Sequence, residues 1–278
     1  MTTSTQAEKA RRLAVHILLA VGALLMIMPF LWMISTSFKS FADSMSVPPK
    51  WLPVEWHPDN YLRVIQTIDF GTYYLNTVIV TVGRTGGQLI LCSLAAYAFA
   101  SLRFPFKNAI FLALLAVLMV PSQVVMIPSF VIMREFNWLD TFYVLIVPGI
   151  FSAFGTFLLR QFFMTLPKDL EEAAKIDGCS YFRIYWNIYL PLSKAALVSL
   201  AIFTILASWN DLLWPLIMTS SEEMRVLSIG ISSFQGQHST DYPLLMAGAL
   251  MATLPIIILF IFLQRYFIEG IAMNGIKG

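Results

Sequence analysis

Residues 13–34 read LAVHILLAVGALLMIMPFLWMI, a run without a single Asp, Glu, Lys or Arg. The hydrocarbon core of a bilayer is about 30 Å thick, so a helix needs roughly 20 apolar residues to cross it. The run is long enough. Lys9, Arg11 and Arg12 precede it, as basic residues precede a secretory signal. A signal's apolar region, however, is only about 7–15 residues long and ends at a small-residue cleavage site. Here the run is longer and gives way to Ser35-Thr36-Ser37-Phe38-Lys39, so an uncleaved membrane helix is expected.

Five further stretches downstream meet the same test: 72–98, 109–133, 141–163, 195–218 and 243–267. The expected fold is all-α and polytopic, with six transmembrane helices. Orientation follows from the placement of Lys and Arg. With both termini cytoplasmic, twelve of the 18 basic residues lie inside, five lie outside, and Arg84 falls within a span. The layout becomes an N-terminal segment 1–12, a first helix 13–34, an extracytoplasmic loop 35–71, a five-helix core 72–267 and a cytoplasmic tail 268–278.

Composition agrees. Of 278 residues, 58% are hydrophobic and 12% charged, against about 45–50% and about 25% in soluble globular domains. That excludes a soluble enzyme, a disordered linker and a disulfide scaffold. The net charge of +2 gives no field to attract nucleic acid. Cys92 and Cys179 define neither a disulfide framework nor a metal spacing, and His16, His57 and His238 are too scattered for a metal site.

Two loops stand out. The outer loop 35–71 carries Pro48, Pro49, Pro53 and Pro58 with Trp51 and Trp56 between them. Prolines are expected to exclude a regular helix there. The loop either packs on its own membrane domain or meets an external partner. The inner loop 164–194 is charged and has signals of two short helices. Pro167 suits the first turn of the first helix and Gly178 the position past its end. Asp169, Glu171 and Glu172 sit near its positive end and Lys175 near its negative end. Glu171 and Lys175 also form an i,i+4 pair. Leu170, Ala173 and Ala174 share a face on which another surface could settle. Ser180 caps a second helix that is expected to stop before Pro191.

Polar side chains within spans often line a pathway or contact another helix. The candidates are Asn76, Arg84, Gln88, Gln123, Asn210 and Asp211. Arg84, flanked by Gly83, Gly86 and Gly87, fits either a buried pair with a carboxylate such as Asp211 or a pathway lining. Asn210 and Asp211 lie between Trp209 and Trp214, which suits either sugar recognition or an aromatic belt at the membrane interface.

At the inner loop the sequence resembles a known family. Glu172-Ala173-Ala174, Gly178 and Ile188-Tyr189-Leu190-Pro191 stand at the spacing of the EAA loop in integral membrane subunits of bacterial ABC importers. Ser37-Phe38-Lys39, Trp209-Asn210-Asp211 and the tail 270–278 are similar to the carbohydrate-uptake branch, in particular its smaller, maltose-permease-like partner. The resemblance implies the type I importer permease fold in the bacterial inner membrane. It implies a second, homologous permease, two ATPase subunits that bind ATP and Mg, an extracytoplasmic solute-binding protein and a carbohydrate substrate. It assigns Glu172, Ala173, Ala174, Gly178, Ile188, Leu190 and Pro191 to ATPase coupling, with Glu172 paired to a basic residue of the ATPase. It also gives the tail a contact with the ATPases.

This chain has no Gly-x-x-x-x-Gly-Lys-Ser/Thr loop, so it is expected to be non-catalytic and to bind no cofactor itself. The competing reading is a secondary transporter driven by an ion gradient. Such proteins usually carry internal repeats or paired intramembrane acids. No clear repeat is seen, and Asp211 is the one plausible acid within a span. A membrane enzyme would need clustered catalytic groups that the sequence does not offer.

Overall fold

The computed structural model describes residues 6–236 and 239–275, and among them every regular element is helical. His238 and residues 276–278 of the expected tail lie outside the described residues. Among the described residues, four helical stretches are long and apolar enough to cross a membrane, Arg11–Ser37, Phe70–Ser101, Phe142–Phe163 and Tyr242–Gln264. A fifth is obtained if the pair Tyr181–Leu192 and Lys194–Trp209, bent by 78°, counts as one span.

The chain divides into two compact units. The first comprises Met1–Asp69 and Ile231–Leu254. It contains α1 (Gln6–Ser37), α2 (Phe41–Ser44) and α3 (Asp59–Thr67). The loop after α1 is ordered from within. Lys39 is buried, with Nζ 2.6 Å from the Lys50 carbonyl and 4.2 Å over the Trp32 ring. Asp43 accepts from Lys50 Nζ at 3.1 Å and from the Val54 amide at 3.0 Å. The Val54 amide, followed by Lys50, holds the Asp43 carboxyl below its usual range, against the opposing effect of burial. Burial pushes the Lys39 ammonium down. Asn60 donates to the carbonyls of Ser37 and Lys39, both at 2.9 Å. The loop thus packs on itself, while Val47, Leu52, Val54 and Trp56 remain exposed. The expectation of a loop without helix needs correcting. α3 starts directly after Pro58, where the prolines end, and buries Asn60 and Val64.

The second unit comprises Phe70–Gly230 and Pro255–Gly278. Its centre is α4 (Phe70–Ser101), packed on α8 (Ala153–Phe163) and α12 (Lys194–Trp209). One core gathers Cys92, Ala96, Tyr97, Leu159, Phe163, Tyr185, Tyr189 and Leu200. A second gathers Val80, Val144, Leu145, Met218, Val226 and Ile229. Close approach requires small residues on α4. A Cβ on Gly87 would stand 2.4 Å from that of Ile150.

Three of the expected spans are not continuous helices. The stretch 109–133 becomes α5 (Lys107–Ala116) with a 3-10 turn Val117–Met119, then a break around Pro121, then α6 (Met126–Glu135). Proline lacks the amide and crowds the preceding turn, which ends the helix. The stretch 141–163 becomes α7 (Phe142–Ile146), a 3-10 turn Val147–Gly149 holding Pro148, and α8. The stretch 195–218 becomes α12 and α13 (Leu213–Met218), interrupted at 210–212. The last long helix, Tyr242–Gly275, continues beyond the expected end at 267.

Candidate functional sites

The charged inner loop is a helical hairpin. α9 (Lys168–Ile176) starts after Pro167 and ends at Asp177. The Cys179 amide bonds the Ala174 carbonyl at 2.9 Å and the Gly178 amide bonds that of Lys175 at 3.0 Å. This is the paired closure of a helix end that needs a left-handed residue between, usually glycine. Gly178 has φ +75° and open space around it. Ser180 then caps α10 (Tyr181–Ile184), its Oγ accepting from the Arg183 amide at 3.4 Å.

Contrary to the expectation from the sequence, the second helix does not stop before Pro191. A π-helical turn Tyr185–Tyr189 intervenes, in which the Leu190 amide bonds the Tyr185 carbonyl, and α11 (Leu190–Leu192) carries the helix through the proline. The wider turn shifts the hydrogen-bond register just where proline cannot donate.

α9 is fastened from beneath. Glu171 is buried and accepts from Lys175 Nζ and from the Tyr189 hydroxyl, both at 2.7 Å. The Ser101 hydroxyl, at the end of α4, donates to Tyr189 Oη at 2.7 Å. Burial works to raise the Glu171 carboxyl, but the bonds from Lys175 and Tyr189 outweigh it and hold the pKa below the usual range. The bond to Glu171 pushes Lys175 up.

This geometry corrects the expected contact face. Ala174 faces inward with Glu171, one helical turn along the same side, and is 8% exposed. Glu172, Ala173, Leu170 and Ile176 form the outer side, and Ile176 is 87% exposed. Glu172 has no ion pair among the described residues. Ile188 and Leu190 pack half-buried against the core around Tyr189, and Pro191 is exposed. The Ser101–Tyr189–Glu171 chain escaped sequence reading. Its one visible sign was the i,i+4 spacing of Glu171 and Lys175.

A second site lies where the helices break. A cavity of about 500 Å³ is lined by Ser122 and Val125 from the first interruption, Pro148 and Gly149 from the second, and Asn210 to Trp214 from the third, with Arg84 of α4. Irregular backbone at membrane depth is tolerated where protein or a wet cavity satisfies it. Side chains do so here. Arg84 Nε donates to the Leu145 carbonyl at 2.6 Å, Gln88 to that of Gly149 at 2.8 Å, and the Trp214 indole to that of Val144 at 2.9 Å.

Arg84 Nη1 also meets Asp211 Oδ2 at 2.8 Å, the pairing entertained from the sequence. Asp211 further accepts from the Trp214 amide at 3.3 Å, and its backbone carbonyl accepts from Ser228. Asn210 spends its amide on the Leu206 carbonyl at 2.8 Å. Asn76 is elsewhere. It is buried and donates to the carbonyls of Glu223 and Arg225 at 2.7 and 2.9 Å, fixing that segment. Gln123 is exposed beside Ser122, outside the cavity. Trp209 packs in a T-shaped pair with Tyr74 and does not line the cavity of its sequence neighbours.

Residues 88–272 match the family model described as the binding-protein-dependent transport system inner membrane component. The chain belongs to this family. As an inner membrane component it is a multi-pass membrane protein, consistent with its long apolar helices. It is 34% identical over 268 residues to the arabinooligosaccharides transport system permease protein AraQ of Halalkalibacterium halodurans, covering 94% of this chain and 96% of that one. It is 33% identical over 267 residues to the sn-glycerol-3-phosphate transport system permease protein UgpE of Yersinia pestis, covering 92% and 94%. The fold of this inner membrane component matches a chain from the crystal structure of a bacterial ABC transporter involved in import of the acidic polysaccharide alginate. The TM-score is 0.81 at 24% identity, over 96% of this chain and 100% of the other.

Proposed function

We propose that this inner membrane component is the permease subunit of an ATP-driven, binding-protein-dependent importer of a carbohydrate: a sugar, an oligosaccharide or a polyol derivative. The family membership and the named substrates of its relatives support the substrate class. In this reading six helices cross the membrane, with the third, fourth and fifth interrupted, and both termini are cytoplasmic. The partners are a second permease, two ATPase subunits that hold ATP and Mg, and a solute-binding protein outside.

One observation carries the coupling role. α9 presents Glu172, Ala173 and Ile176 outward while Glu171 and Ala174 tie it to the core. A partner that grips the outer face therefore pulls on the ends of α4 and the bent pair as well. ATP-driven closure of the ATPase dimer would move the hairpin as a rigid lever and switch the permease pair between its two faces. Glu172 is the group for a charge-assisted bond to a basic ATPase side chain.

The cavity at the helix breaks is the best candidate for the solute's passage on this subunit. Discontinuous helices are a recurrent feature of transporter binding sites. Trp214 offers an aromatic wall, and Asn210 and Asp211 offer hydrogen-bonding groups. Arg84 holds Asp211 in place, and Asn76 acts as a structural clamp. The direct test is to isolate the chain from its native membrane in mild detergent. An ATPase and a second polytopic subunit should accompany it in fixed ratio. Isolation as a lone, transport-competent chain would overturn the assignment.

A further inference from the structure

A second cavity, of about 760 Å³, opens beside α9 and is charged. Four cationic side chains, Arg103, Lys107, Lys168 and Lys175, line it against two acids, Glu171 and Glu172. Lys175 is already committed to Glu171. Arg103 and Lys168 are exposed and have no ion pair among the described residues. Lys107 spends two of its three ammonium donors on the carbonyls of Ala100 and Leu102, at 3.3 and 2.9 Å. Burial, then the charges of Arg160 and Lys168, push its pKa down. The four cations outnumber the two acids, which leaves the cavity with an excess of positive charge.

Its position narrows the ligand. Ser101 ends one candidate span, Phe163 ends another, and Lys107 begins the apolar helix Lys107–Met119, and all three line the cavity. This is the depth at which hydrocarbon gives way to headgroups. Apolar surface accompanies it: Met164, in its lining, is 55% exposed, and Phe106 and Ile110, the residue before and one turn after Lys107 in the chain, are 80% and 49% exposed. A small soluble anion has no use for that flank, whereas a molecule with a phosphate and acyl chains does.

We propose that this cavity binds the phosphate-bearing headgroup of an anionic phospholipid, with Arg103, Lys107 and Lys168 facing the charge. Basic pockets at the ends of membrane helices recognise such headgroups by electrostatics. The inference needs only the membrane placement of the family, and its site borders the α9 face that carries Glu172.

The test uses the full chain in mild detergent and native mass spectrometry, with phosphatidylglycerol as probe and phosphatidylcholine and inorganic phosphate as comparators. Phosphatidylglycerol should be retained in preference to phosphatidylcholine. The double substitution Arg103→Gln, Lys168→Gln should weaken it about thirty-fold at low salt, from the attraction expected of two basic residues. Phosphatidylcholine binding should not change. Equal retention of the two lipids would overturn the proposal, as would equal retention by parent and variant. Displacement of phosphatidylglycerol by millimolar inorganic phosphate would identify a free-anion site instead. Should the variant fail to fold, a salt titration of the unaltered chain decides. Affinity should fall steeply with ionic strength, and a flat response would refute the assignment.

Discussion

Glu171 and Glu172 are sequence neighbours with opposite surroundings, and replacing each by alanine separates scaffold from contact surface. Glu171 is 7% exposed and accepts from Tyr189 and Lys175 at 2.7 Å. A hydrogen bond to a charged group contributes about 1.5–3 kcal/mol. The Lys175 side chain is 42% exposed, so screening leaves that pair about 0.5 kcal/mol. Glu171→Ala should therefore cost about 2–3 kcal/mol, a fall in Tm of roughly 3–5 °C for a chain of this size. Glu172 is exposed without an ion pair among the described residues, and its substitution should stay within about 0.5 kcal/mol. Thermal denaturation in detergent reads this difference, and the ATPase stimulated by solute and binding protein reads the other half. Glu172→Ala should lose stimulated hydrolysis at unchanged Tm. The pH dependence has a definite sign. Glu171 titrates below its unfolded value in the folded chain, so its contribution is complete above about pH 4.3 and is lost as pH falls through the lower folded value. Glu171→Gln should remove that acid-side dependence. Equal Tm values for Glu171→Ala and Glu172→Ala would refute the inward and outward division of α9.

Three further outcomes follow from the same geometry. Gly178 at φ +75° should tolerate asparagine, whereas Gly178→Val should cost about 1–2 kcal/mol and uncouple transport from hydrolysis, as paired Tm and uptake assays would reveal. Removing one member of the Arg84–Asp211 pair should cost roughly 3 kcal/mol, and Arg84→Met with Asp211→Leu should recover part of that, since a buried charge left alone is worse than none. Gly87→Ala drives a methyl into Ile150 and should lower stability by about 1–3 kcal/mol, whereas Gly22→Ala, with open space around it, should not.

Much of the fold was legible because membrane crossing is a matter of length and polarity. The runs at 13–34 and 72–98 fall inside α1 and α4, which extend a few residues further at each end. Hydropathy averages over a window, so it ran the third, fourth and fifth stretches through their interruptions. Pro121, Pro148 and the Asn210-Asp211 pair marked those places locally, but that the three breaks line one cavity is a tertiary fact. The hairpin was legible from its caps and its glycine, because helix ends are written in adjacent residues. Its inner face was not. Glu171 meets Tyr189 across 18 residues and a turn, and no helical periodicity encodes that contact. Ala174 was misplaced for the same reason, since Leu170, Ala173 and Ala174 share a face by spacing while the core beneath selects Glu171 and Ala174.

The most direct test of the importer assignment is uptake into sealed vesicles containing this chain with the subunits that accompany it. Labelled carbohydrate and its binding protein are supplied outside, and ATP is trapped within. Accumulation should require internal ATP and persist when ion gradients are collapsed. Uptake that needs an ion gradient and ignores ATP would contradict the account.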